Sequence, residues 1–225
     1  MNPARLLRAP SQTRRPGQLR EGLRYVRNTP EVLVPLVMLA IVGTLAYEYQ
    51  VVLPLLAKFT FGGDAGTYAT MSALTGIGAV VGGLATAAGG RKPATSLAWT
   101  AIVFGSIQML TSMAPTLAIC YAIMILLGAA SIRFLALGNA TLQLAANPAM
   151  RGRVMALWAV AFLGSTPIGG PIVGWIGEQF GARIALGLGG VATLASGILA
   201  YRALARIEAR AKSGDSSTIP PPKPV

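Results

Sequence analysis

Residues 93–132, PATSLAWTAIVFGSIQMLTSMAPTLAICYAIMILLGAASI, run for 40 positions without one charged side chain. A helix rises 1.5 Å per residue and the hydrocarbon core of a bilayer is about 30 Å thick, so roughly 20 apolar residues make one crossing. The stretch is therefore two crossings, divided near Pro115, which has no backbone donor with which to continue a helix. Charge-free windows recur at 65–90, 154–177 and 184–201, one crossing each, and 33–57 carries a single charge, Glu48. The spans expected are 33–57, 66–89, 94–113, 115–138, 154–177 and 182–203. Each is expected to be helical, because lipid offers the backbone no hydrogen-bond partner; the alternating pattern of a membrane barrel is absent.

Composition agrees. With 53% hydrophobic residues, 12% charged residues and a mean hydropathy of +0.60, the chain lies outside the balance of a soluble domain. The net charge of +12 raises the question of nucleic acid, and the placement of the cations answers it. All but Lys58, Arg133 and Arg183 of the 19 lysines and arginines fall before 33, at Arg91 and Lys92, at Arg151 and Arg153, or after Tyr201. With both termini cytoplasmic, this is the positive-inside asymmetry of a multi-pass inner-membrane protein, and no nucleic-acid partner is implied. There is no His, and Cys120 stands alone. Zinc or haem ligand sets, a disulfide and the nucleophile–base arrangements of hydrolases are thereby without their residues, so neither a cofactor nor an enzyme is expected.

The flanks differ from the spans. Leu19, Leu23 and Val26 share helical spacing with Arg20, Arg24 and Arg27 on another face, which suits a short helix on the cytoplasmic surface within a basic segment 1–30. The membrane domain is placed at 31–204, and 205–225, ending in a proline-rich run, as a disordered cytoplasmic tail.

An internal repeat organises the membrane domain. Gly78, Gly82, Thr86, Gly89 and Arg91 recur as Gly170, Gly174, Glu178, Gly181 and Arg183, every pair 92 residues apart. Three crossings separate the copies, and an odd number reverses direction, so the fold class expected is an all-α membrane protein of six transmembrane helices in two inverted three-helix repeats. Each copy holds a GxxxG pair suited to close helix contact, and Pro171, with Pro167, is expected to kink the fifth span.

On these residues the chain resembles the major facilitator superfamily, as the C-terminal six-helix half of an exporter. The segment 17–26, GQLREGLRYV, is similar to the connection before the seventh family helix. The segments 50–57, QVVLPLLA, 151–157, RGRVMAL, and 162–171, FLGSTPIGGP, resemble the branch containing the enterobactin exporter. At 82–92 the superfamily's cytoplasmic loop motif is altered, Thr86 standing for its aspartate and Ala87 for its basic residue, so Arg91 and Lys92 are left as topogenic charges. The resemblance implies proton-coupled export of a small amphipathic molecule, siderophore or drug-like. It also implies a partner, either a missing N-terminal half or a second copy of this chain, to complete a cavity in the bilayer. The alternative is a truncated, non-transporting membrane fragment.

Ionisable groups at membrane depth are costly and are functional candidates by default. Glu48, between Tyr47 and Tyr49, is the candidate proton acceptor, and Arg133 a second charge in the fourth span. Arg133 lies near the cytoplasmic end of its span, so snorkelling to the headgroups competes with a role in the cavity, and a direct Glu48–Arg133 pair is not expected. Gln50, Gln108 and Asn139, the last continuing as Gln143 and Asn147, are further polar candidates, while Gly78, Gly82, Gly89, Arg91, Gly170, Pro171 and Gly174 are assigned to packing and gating. Trp99, Trp158 and Trp175 suit interfacial anchoring. Reporters fused after Asp64, Met113 and Gly181 are predicted to score periplasmic and those after Lys92, Asn147 and Arg210 cytoplasmic; the reverse pattern would remove the six-span topology.

Overall fold

The computed structural model describes residues 18–89 and 95–212, and among these the regular structure is helical throughout. The order is α1 Gln18–Arg27, α2 Pro30–Leu45, α3 Tyr49–Leu55 with a π-helical turn at Leu56–Thr60, and α4 Ala65–Ala87. There follow α5 Thr95–Ser112, α6 Leu117–Ala145, α7 Arg151–Leu163, α8 Thr166–Phe180 and α9 Ala182–Lys212. Among the described residues five stretches are long and apolar enough to cross a membrane: Pro30–Thr60, Ala65–Ala87, Leu117–Ala145, Arg151–Phe180 and Ala182–Ile207. The segment expected at 94–113 is α5, of 18 residues, whose Ser96, Thr100, Ser106, Gln108, Thr111 and Ser112 keep it out of that set.

Other boundaries differ from expectation for local reasons. The span at 33–57 is broken between Leu45 and Tyr49. The one at 154–177 breaks at Gly164 and Ser165, not at Pro171, because Pro167 occupies the first turn of α8, where a missing donor costs nothing, and Pro171 is carried within the helix. Residues 205–212 continue α9 instead of starting a tail. In α1, Gly22 and Val26 are buried while Leu23 is half-exposed, so the helix docks on protein through a face beside the one expected. Glu21 pairs with Arg153 at 2.7 Å, and the Tyr25 hydroxyl accepts the Asn147 amide at 3.0 Å, which ties α1 to the start of α7.

The helix ends are closed locally. Asp64 caps α4 in a reciprocal box with Thr67, whose amide donates to its carboxylate at 3.0 Å, and the Thr67 backbone bond first among these contacts holds the Asp64 carboxyl below its usual range. At the same end of the bundle Arg183 donates to the Ala114 carbonyl at 2.6 Å and lies over the Phe61 ring.

Packing follows the small residues. The helix α5 runs along α9, α4 runs along α6, α6 also meets α5, α9 meets α2, and α7 and α8 cover α2 and α3. Gly78 and Gly82 are buried against the Ile125 and Ala129 backbone, and Gly128 faces Thr75 in return. Gly105 and Gly190 do the same between α5 and α9. A Cβ at Gly78 would overlap the Ile125 carbonyl, whereas one at Gly76 on the exposed face meets nothing within 4 Å. Gly78→Val is therefore predicted to destabilise the bundle by about 1–3 kcal/mol, and Gly76→Ala to leave it unchanged or slightly firmer. Thermal unfolding in a mild detergent reads both, and equal midpoints would contradict the packing role.

Candidate functional site

The first apolar span does not run straight through. Ala46 still donates to Val42 at 2.9 Å, the next two residues leave the helix, and it resumes with Val51 and Val52 donating to the Glu48 carbonyl at 3.1 and 3.0 Å. Inside lipid, the carbonyls stranded at the end of α2 must be covered by protein. The Gln108 amide from α5 donates to the Ala46 carbonyl at 3.3 Å. Gly189 on α9 sits against the Leu45 carbonyl, where a Cβ would lie 2.5 Å from the oxygen. Gly169 on α8 abuts the Thr44 carbonyl so closely that a Cβ would overlap it. Such approaches let a glycine Cα–H serve as a weak donor, and no other residue fits there.

Glu48 stands at the N-terminal edge of α3 and is 5% exposed. Its carboxylate turns toward α8, where Cβ atoms built on Gly169 and Gly170 would lie 2.8 Å from Oε1 and 3.5 Å from Oε2. The second helix break lies alongside the first. A Cβ on Gly43 would come within 3.0 Å of the Phe162 ring and 3.2 Å of the Ser165 hydroxyl, and that hydroxyl donates to the Phe162 carbonyl at 2.6 Å. Tyr47 points the other way and donates to the Ser131 carbonyl of α6 at 2.5 Å. Its ring centroid lies 4.9 Å from Phe162 and 5.5 Å from Phe104, and Trp158 stacks on Phe162.

Buried polar atoms without a partner gather here. Among the described residues they are Glu48 Oε1, the Tyr49 hydroxyl, Gln108 Oε1 and Trp158 Nε1. Glu48 and Tyr49 border the break, Gln108 reaches it from α5, and Trp158 stacks on an aromatic that touches Tyr47. Buried polar groups in folded proteins nearly always find partners, so unmet acceptors and donors close to one helix break single this place out as the candidate site. Glu48 is the ionisable side chain of this cluster, and the aromatic rings beside it pack on one another.

The remaining candidates distribute differently. Arg133 makes no ion pair with Glu48 and lines a separate cavity between α5 and α6. Gln50 is exposed, and Asn139 accepts from Gln143 at 2.5 Å one turn on along α6. Gly170 and Gly174 lie against Val51 as well, Pro171 is exposed on α8, and Gly89 closes the end of α4 with its amide donating to Thr86. Arg91 lies outside the described residues. Trp99 and Trp175 are exposed, whereas Trp158 belongs to the aromatic cluster and not to a membrane surface. Phe162, Ser165 and Gly169 entered the sequence reading only as part of the segment 162–171, with no site role, and Gly189 did not enter it. The Ser165-Thr166-Pro167 step was the available signal for the second break, whereas nothing local marks Gly189 apart from the other glycines of α9.

A multi-pass bundle of apolar helices with a carboxylate at a mid-span break is the architecture of a membrane transport protein. The family model of transmembrane secretion effectors, of major facilitator type, matches residues 8–224, and the chain belongs to that family. No curated protein and no solved structure matches it.

Proposed function

We propose that this chain is one half of a proton-coupled exporter that moves a small amphipathic molecule, siderophore or drug-like, by alternating access. The observation that carries the proposal is Glu48: a buried carboxylate at a helix break, with one oxygen unpartnered and an aromatic cluster beside it. The secretion description of the family supports an outward direction. In the proposed cycle Glu48 takes a proton from one side, the neutral break accommodates the second conformation, and release to the other side resets it. Gly169 and Gly170, which flank the carboxylate without side chains, allow α8 to slide against α3.

The proposed frame is six crossings in two inverted repeats, with α5 as the third. The helix pairs support it: α4 with α6 corresponds to α8 with α2 and α3, α5 with α6 to α9 with α2, and α5 with α9 to itself. The proposed partner is a second six-helix unit, separately encoded or another copy, which covers the outward faces of α4 and α8. Ile77, Val80, Val81 and Leu84 on the first and Ile168, Ile172 and Trp175 on the second are exposed there. The proposed setting is the inner membrane, with both termini cytoplasmic.

In vesicles containing the assembled transporter, Glu48→Gln is predicted to abolish the dependence of dye efflux on the pH gradient while dye binding remains measurable. A fluorescent amphipathic dye is the probe. Gradient-driven efflux at the wild-type rate would overturn the assignment of Glu48.

A further inference from the structure

A cavity of about 430 Å³ opens between α5 and α6, lined by Ser96, Trp99, Thr100, Val103, Ala130 and Arg133. It is distinct from the break at Glu48, which none of its lining residues touches through a hydrogen bond or ion pair among the described residues. Its chemistry is one-sided. Arg133 brings a permanent charge and five donors, and no acidic residue lines the cavity. Nothing among the described residues pairs with that guanidinium. An unpaired arginine within a membrane span is costly enough that an anion, or the headgroup layer, has to meet it.

Depth decides which anion. Leu117 begins α6, and Arg133 follows it by 16 residues, roughly 24 Å along the axis in a hydrocarbon core about 30 Å thick. The arginine side chain spans what remains and brings its guanidinium to the level of lipid phosphates. The other wall agrees, since Ser96 lies in the first described turn of α5, four residues after Lys92 in sequence. Trp99 is 56% exposed at the mouth, with its ring centroid 6.1 Å from that of Tyr201 on α9, an aromatic pair of the kind that sits at the membrane interface. Arg202 and Arg206 follow Tyr201 at the same end. The exposed Trp99 and Val103 turn the opening toward the lipid and not toward the break at Glu48.

We infer that this cavity binds the headgroup of an anionic phospholipid, Arg133 meeting the phosphate, the Ser96 hydroxyl adding a donor, and Trp99 and Val103 holding the first acyl segment. Thr100 shapes the wall and is not a free donor, because its hydroxyl already donates to the Ser96 carbonyl at 2.8 Å. A lipid seated there bridges α5 and α6 at the end of the bundle where α5 begins.

The test is native mass spectrometry of the full chain released from mixed phosphatidylglycerol and phosphatidylcholine micelles, with monodispersity checked for each variant. The wild type is expected to retain phosphatidylglycerol selectively. Arg133→Gln is expected to lower that retention roughly tenfold, the worth of one charge-assisted phosphate contact. Val103→Trp, which keeps the charge but fills the mouth, is expected to do the same and serves if Arg133→Gln fails to fold. Arg202→Gln, with the same loss of charge at the same end, is expected to retain the lipid. Undiminished retention by Arg133→Gln or Val103→Trp would overturn the inference. So would inorganic phosphate alone raising the thermal midpoint as much as phosphatidylglycerol does, in an Arg133-dependent way, because the occupant would then be a soluble anion.

Discussion

Inside a bilayer, every backbone amide and carbonyl must be satisfied by the protein itself, and the architecture of this chain can be derived from how it meets that demand. Among the described residues the longer segments meet it by remaining helical, apart from two breaks, the step from Ala46 to Glu48 and that at Gly164 and Ser165. At the first, the stranded carbonyls are met from three neighbouring helices, by Gln108 on α5, Gly169 on α8 and Gly189 on α9. In the conformation described, the break depends on the positions that α5, α8 and α9 hold around α2. The residues that permit the break are also among those that set Glu48 against α8, so the proposed role of Glu48 depends on the same packing as the fold.

Glycine has two separate uses in this bundle. At Gly78, Gly82, Gly105, Gly128 and Gly190 it brings two intact helices into contact, where van der Waals attraction replaces the hydrophobic drive that lipid does not supply. At Gly169 and Gly189 it covers a broken one. The first use fixes the pairs α4 with α6 and α5 with α9. The second leaves α8 resting on α3 through Gly169, Gly170, Gly174 and Gly177, a contact with few interlocking side chains. Motion between packed helices is easiest across such a surface, which is why the proposed cycle places its moving contact there.

Much of this was legible in the sequence because membrane segments are written in charge. The free windows at 65–90 and 93–132 delimited α4, the α5–α6 turn and the first half of α6. The breaks were not legible. Residues 43–48, Gly-Thr-Leu-Ala-Tyr-Glu, contain no proline, and their departure from helix is imposed by neighbours far away in sequence. Pro171, the residue that looked disruptive, sits quietly inside α8, while Ser165 marks the real discontinuity. The same limit applies to α1: periodicity placed Leu23 and Val26 together, but only Val26 meets protein, because Gly22 lets Arg153 approach on that side. Glu48 and Gln108 were found as polar residues in apolar spans, yet that one covers the break around the other could be seen only once the helices were assembled.

A proton-carrying Glu48, as proposed, has to exchange with solvent, which requires water to reach the break beside it at membrane depth. Hydrogen–deuterium exchange of the lipid-reconstituted protein tests it most directly. Amides at 46–50 are predicted to exchange while those in the middle of α4 stay protected. Protection across 44–50 equal to that of α4 would contradict the account, because no proton could then reach Glu48.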